Sequence, residues 1–325
     1  MNIDVHSHIL PQSYLERAAA SPEFGASVGR REDGMLLLTL GGVDRPVPPG
    51  FYDVQVRRRE VPAKGIDLQV VSPAPQLFYY NMDPKVGAEV ARLANEAVAE
   101  MVRADPSRFL GFGTVPLQSV DLALAELERF EPLGLRGVEV GTNVGGRFLS
   151  DPAFRPIFEA IEARGLPVFV HPWDPAGQER LSCFSLLSVA GFLIETTLTL
   201  AHLIFSGFLD ALPRLRLCFA HAGGFFPYLV GRVEREAGID PAMGRALQRP
   251  VLEYLRRCYF DTIVLHPRPL ECVIALVGVD RLVLGSDYPF DLGDPDPLAS
   301  VAALEIPEAD KVKIRGENAR RFLGL

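Results

Sequence analysis

Two histidines, His6 and His8, stand two residues apart in the opening stretch Ile3-Asp4-Val5-His6-Ser7-His8. In a strand the side-chain period is two, so both imidazoles project from the same side and could grip one ion. Imidazole is the commonest neutral ligand for a catalytic transition metal, and a pair from one strand end leaves further positions for distant residues and for water. The same spacing also fits two ordinary hydrogen-bonded histidines near a chain terminus. The decision rests on what else the chain brings to them.

The chain holds only 6 histidines. His171 and His221 each end a short apolar run, and Asp287 follows Gly285-Ser286 just past another. Asp287 could instead serve as a helix cap or turn residue, for which Asp after Gly-Ser is well suited. His202 falls inside an apolar helical pattern and His266 sits beside Pro267 in a loop, so neither belongs with the first group.

The elements that must position these residues form a rhythm. After the first strand, residues 11–62 fit no single element; an apolar run at 35–40 bounded by Gly41-Gly42 and Pro46 predicts a short inserted hairpin. Strands are then expected at 68–72, 110–115, 137–140, 168–170, 215–220, 259–263 and 282–284. Amphipathic helices fall at 87–103, 122–130, 153–164, 186–208, 226–236 and 270–277. Short apolar strands alternating with helices imply parallel βαβ units, and eight of them close into a (β/α)8 TIM barrel, here with a small insertion after the first strand. An open doubly wound sheet is the alternative. With no break in composition, residues 1–325 read as one domain. In a barrel, catalytic groups gather at the carboxyl ends of the strands, and His6, His8, His171, His221 and Asp287 all fall there.

Composition bounds the partners. At 48% hydrophobic and 23% charged residues the chain can build a substantial core, and its net charge of −8 disfavours a phosphate-backbone binder. Nucleic acid and membrane are not expected partners, since no run reaches 18 uninterrupted apolar residues and no secretory leader pattern opens the chain. A cytoplasmic location is the expectation. Cys183, Cys218, Cys258 and Cys272 lack metal-finger spacing and read as buried reduced thiols.

Several blocks are longer than metal binding requires: Asp4-Val5-His6-Ser7-His8, Val115-Pro116-Leu117-Gln118, His171-Pro172-Trp173-Asp174, His221-Ala222-Gly223-Gly224, Gly231-Arg232-Val233, Gly285-Ser286-Asp287-Tyr288-Pro289-Phe290 and Gly316-Glu317-Asn318-Ala319-Arg320-Arg321-Phe322. Through them the chain resembles, nearly end to end, the amidohydrolase superfamily and within it the metal-dependent nonoxidative decarboxylases typified by aminocarboxymuconate semialdehyde decarboxylase. The resemblance implies one zinc ion held by His6, His8, His171 and Asp287 with a water, and His221 as a nearby acid/base. A divalent metal lowers the pKa of bound water to about 7 and an imidazole exchanges protons at neutral pH, so the chemistry agrees. A two-metal amidohydrolase would usually carry a bridging lysine in the fourth strand, and residues 137–141 contain none.

Arg45 and Arg232 align with arginines that hold substrate carboxylates in the resembled enzymes, a role that suits the guanidinium fork. In that family one such arginine comes from a neighbouring subunit, which implies a homodimer with a shared active site. Trp173 and Phe290 flank predicted ligands and could stack on a planar acid. Phe184 stands where the resembled enzyme has a tryptophan, and an aromatic expected near Ser188 is missing, which leaves the exact substrate open. The reaction implied is nonoxidative decarboxylation of an unsaturated or aromatic carboxylic acid, 2-amino-3-carboxymuconate 6-semialdehyde or a close analogue. A metal-dependent hydrolase or hydratase of a small carboxylated compound is the competing chemistry, and a noncatalytic metal-stabilised binding protein the competing class.

Overall fold

In the computed structural model, which describes residues 1–325, eight strands pair in parallel and in chain order around a barrel: Ile3–Asp4, Leu68–Pro73, Phe109–Gly113, Gly137–Gly141, Val168–His171, Leu217–Phe219, Tyr259–Asp261 and Leu282–Val283. The ring closes where Val5 N donates to Leu284 O at 2.9 Å and Ser7 bridges Tyr288 in parallel. The chain is a (β/α)8 barrel. Its strands read as nearly unbroken apolar runs because a parallel barrel buries both faces of its sheet.

Alternate strand positions divide between two cores. Val70, Leu110, Phe112, Phe169, Cys218 and Val283 fill the barrel, joined by Phe322 and Leu323 of the terminal helix Asn318–Leu323. The Phe322 ring lies 5.2 Å from Tyr259 and 6.2 Å from Phe112, so that helix closes the end of the barrel away from the histidines. Val71, Val138, Val140, Val170 and Phe219 face outward onto Val98, Leu127, Ile161 and Leu203 of the surrounding helices.

The predicted hairpin is a larger unit. Helix Gln12–Ala20 leads into a three-stranded antiparallel sheet, Ala26–Arg30, Leu36–Leu40 and Val43–Val47, and helix Val54–Ala63 returns to the barrel. Ala26–Arg30 carries mostly exposed residues and turns only Ala26 and Val28 partly inward, too short an alternation to mark it, so its pairing with Leu36–Leu40 makes it a strand. Asp53 starts the returning helix by accepting from Gln55 N and Val56 N.

The stretch Leu187–Phe205 is long and apolar enough to cross a membrane by length and composition alone. Here it is a turn of π-helix, Leu187–Gly191, running into the α-helix Phe192–Phe205, which buries Thr196, Thr199, Leu200, Leu203 and Ile204 against the barrel. All four cysteines are free, as expected; Cys218 and Cys258 are buried, but Cys183 and Cys272 are exposed, the latter on helix Pro267–Val277 where it lines the open cavity at the barrel mouth.

Candidate metal centre

The first strand breaks after Asp4, and the chain continues extended through His8, so the two histidines leave it on one side. Their Nε2 atoms approach to 2.9 Å. His171, the last residue of the fifth strand, and Asp287, in the loop after the eighth, complete a buried group whose potential ligand atoms all lie within 4.8 Å of one another. Asp287 Oδ1 stands 3.3 Å from His6 Nε2 and 3.1 Å from His8 Nε2. Asp287 adopts a left-handed backbone, φ 57°, which turns its carboxylate back over the barrel mouth.

Two of the three imidazoles are oriented from behind. His6 Nδ1 lies 2.6 Å from Asp261 Oδ2, and His171 Nδ1 lies 2.9 Å from Pro172 O. A ring that donates through Nδ1 presents the Nε2 lone pair to the centre, the arrangement that tunes metal-ligating histidines. His8 Nδ1 faces Glu139 Oε1 at 3.7 Å. Neither Glu139 oxygen nor Asp287 Oδ1 has a hydrogen-bond partner. A buried group that converges three imidazoles and a carboxylate oxygen while leaving that oxygen without a donor fits a divalent cation, and the donor set suits one.

The electrostatics agree. Burial disfavours a charged His6, but Asp287 and Asp261 outweigh it and hold His6 well above its ordinary pKa. Burial likewise opposes the charged Asp287, yet His6, with His221 and His8, holds it well below the carboxylate range. Burial pushes His8 down to about 4 and Glu139 up to about 8. These directions favour a protonated His6 between ionised Asp261 and Asp287 in the metal-free centre.

His221 lies at the edge of this group, its Nε2 3.6 Å from Asp287 Oδ2. It opens a tight turn in which His221, Ala222, Gly223 and Gly224 all have positive φ. At Gly224 a Cβ would stand 2.3 Å from Leu193 O, so the turn admits only glycine there. Asp261 fixes this turn as well: its Oδ1 accepts from Ala222 N at 2.9 Å while its Oδ2 meets His6. Asp261 and Glu139 were not singled out in the sequence. Each was a carboxylate in a run expected to be a buried barrel strand, and that was the available signal.

A cavity of about 1190 Å³ opens above the group and is lined by His171, His221, Asp287, Arg45, Trp173 and Phe290 among others. Phe290 packs edge-on against the His8 ring at 5.3 Å, and Trp173 against Phe78 at 5.9 Å. Arg45 Nη1 donates to Leu40 O and Val43 O, and its other guanidinium nitrogens make no hydrogen bond within the chain. Arg232 is exposed on helix Phe226–Ala237 and does not line this cavity. Phe184 is exposed on the rim, whereas Ser188 lines the cavity.

The amidohydrolase family model matches residues 3–325. The chain belongs to that family. This amidohydrolase is 34% identical over 332 residues to the 2-amino-3-carboxymuconate-6-semialdehyde decarboxylase of Dictyostelium discoideum, covering 100% of this chain and 92% of the relative. Its fold superposes on 5-carboxyvanillate decarboxylase from Sphingomonas paucimobilis with a TM-score of 0.85, at 28% identity and over 100% and 99% of the two chains. A dihydroxybenzoic acid decarboxylase from Polaromonas sp. JS666, solved with bound manganese and the inhibitor 2-nitroresorcinol, superposes with a TM-score of 0.80 at 25% identity, over 100% and 97%.

Proposed function

We propose that this amidohydrolase is a zinc-dependent nonoxidative decarboxylase of an unsaturated or aromatic carboxylic acid, with 2-amino-3-carboxymuconate 6-semialdehyde or a close analogue as its substrate. The observation that carries the reading is the buried cluster of His6, His8, His171 and Asp287 at the floor of a cavity that also presents His221 and Arg45. Three imidazoles and one carboxylate suit zinc, and the manganese in the Polaromonas relative makes metal content the first quantity to measure.

When bound, the cation supplies Lewis acidity toward an oxygen of the substrate. The chain's own residues do the rest. The free edge of the Arg45 fork receives a carboxylate through two parallel hydrogen bonds. Trp173 and Phe290 confine the planar acid from the cavity wall. His221 Nε2 faces the centre, and its proton goes to the carbon that bears the departing carboxylate. That new C–H bond breaks conjugation; cleavage of the carbon–carboxylate bond returns its electron pair to the π system and releases carbon dioxide.

Arg232 serves a second copy in this reading. The rim around it exposes Tyr228 on the same helix and Phe225 just before it, with Val189 and Ile194 on the neighbouring π- and α-helical stretch, an apolar face that a homodimer would cover. We place the enzyme in the cytoplasm. The test is carbon dioxide release and product mass from a panel of carboxymuconate semialdehydes and hydroxybenzoates. Wild-type protein is expected to release carbon dioxide, His221→Ala about 10²- to 10⁴-fold more slowly. Product formed by addition of water, with no carbon dioxide, would replace decarboxylation by hydrolysis or hydration.

A further inference from the structure

Arg57, on the inserted segment's helix Val54–Ala63, is fully buried, and every oxygen it donates to is neutral, with no carboxylate in ion-pair contact. A guanidinium withdrawn from water without a counterion is costly unless its donors are satisfied in detail. Here they are. Nε donates to Gly50 O at 2.7 Å, Nη1 to Gln69 Oε1 at 2.8 Å and to Ser7 Oγ at 3.3 Å, and Nη2 to the carbonyl of His8. The Tyr288 ring faces its central carbon at 4.9 Å.

The partners explain the position. Ser7 separates the two histidines, and the His8 carbonyl belongs to one of them, so one of these bonds holds the backbone of the ligand pair directly and another holds the side chain between them. Gln69 extends the reach, since its Nε2 donates to Asp4 Oδ2 at 2.9 Å. Asp4 in turn accepts from His6 N at 3.1 Å, from Ser286 N at 3.0 Å and from Ser286 Oγ at 2.6 Å. The residue after Ser286 is Asp287, whose own N donates to His6 O at 2.8 Å. A relay with no bulk solvent therefore runs from Arg57 to the backbone of three of the four converging residues.

We propose that Arg57 is a positioning residue for the metal centre: through Ser7, the His8 carbonyl and the Gln69–Asp4–Ser286 relay it sets where the His6, His8 and Asp287 ligand atoms meet. The inserted segment is thereby part of the centre's framework as well as a wall of the cavity. This rests on the reading of His6, His8, His171 and Asp287 as a metal site, and its test does not use decarboxylation. Zinc affinity is measured by competition with a chromophoric chelator, and the visible spectrum of the cobalt-substituted protein reports ligand geometry. Arg57→Met is expected to fold and to bind zinc about 10- to 100-fold more weakly, the usual cost of removing an outer partner of metal ligands. Arg57→Lys, which keeps the charge but loses the fork, should recover only part of that affinity.

Should Arg57→Met not fold, Gln69→Leu cuts only the relay to Asp4 and is expected to weaken zinc binding severalfold and shift the cobalt bands. Wild-type affinity and an unchanged cobalt spectrum in folded Arg57→Met, or in Gln69→Leu where that is the only folded variant, would overturn the assignment. Loss of metal binding in His6→Ala but not in these variants separates a failure of this proposal from a failure of the metal-site reading.

Discussion

The floor and the mouth of the cavity are built on opposite terms. At the floor, four converging residues are buried, two imidazoles are oriented from behind by Asp261 and Pro172 O, and Glu139 faces a third. At the mouth, Val189, Leu265 and Leu292 are at least half exposed and Tyr228 is 83% exposed. Burial at the floor strengthens every charge interaction, so a small displacement there is expensive. Apolar surface at the mouth contributes nothing until something covers it. The ligand geometry is thus complete within one chain, while the recognition surface invites a second molecule.

That contrast can be broken most directly at the floor. Replacing His6 and His8 together by alanine is expected to abolish stoichiometric zinc, read by elemental analysis of folded protein; full occupancy would show that the convergence is not a metal site. Asp261→Asn keeps the shape but weakens the acceptor behind His6, and zinc affinity should fall about 10- to 100-fold. Unchanged affinity there would mean that His6 needs no partner to hold its tautomer.

Acid should sharpen the picture further. Because Asp287 and Asp261 hold a proton on His6 in metal-free protein, metal uptake displaces it, and affinity should weaken toward low pH by up to about tenfold per pH unit for one proton. Calorimetry in buffers of different ionisation heats counts that proton, and a count of zero refutes the assignment. The metal-free pair also sets a stability window. His6, raised from 6.5, contributes stability that is fully present below 6.5 and is lost as pH rises through its folded pKa. Asp287, lowered from 3.8, contributes stability present above 3.8 and lost as pH falls through its depressed value. His8, pushed down to about 4, costs stability below 6.5 and opposes the pair in that window, so it is the difference in thermal melts between metal-free wild-type and Asp287→Asn protein that should be largest between those limits.

The smallest effect belongs to the mouth. Tyr228→Ser should leave zinc affinity within twofold or so, since surface changes away from special contacts usually stay near about 0.5 kcal/mol. It should loosen self-association measured by sedimentation. A large loss of zinc affinity in this variant would dissolve the distinction between floor and mouth.

How much of this was legible in the chain varies with the distance over which each contact acts. The barrel could be read because its strands are short apolar runs and its helices repeat every three to four residues, both local signals. The predicted helix at 270–277 formed as Pro267–Val277, with His266 as its cap. The meander was half hidden, since Ala26–Arg30 is a strand only by virtue of its neighbour. The residues that orient the ligands left little trace. Asp4, Glu139 and Asp261 lie in runs that read as strand, and a carboxylate in a strand carries no mark of the side chain it will meet.

By itself the sequence determined the local elements, their alternation and hence a barrel, and with it the expectation that His6, His8, His171 and Asp287 would share one rim. Those are consequences of spacing and strand order, which short-range sterics and topology enforce. Only the tertiary structure decided that Asp261 serves both His6 and the His221 turn, that Glu139 stands behind His8, and that an unpaired Arg57 from the insertion grips the Ser7 hydroxyl between the two histidines and the carbonyl of His8. Such pairings depend on tenths of an ångström between residues up to 255 positions apart. Hydrogen bonds lose their strength over that scale, and no pattern along the chain encodes it.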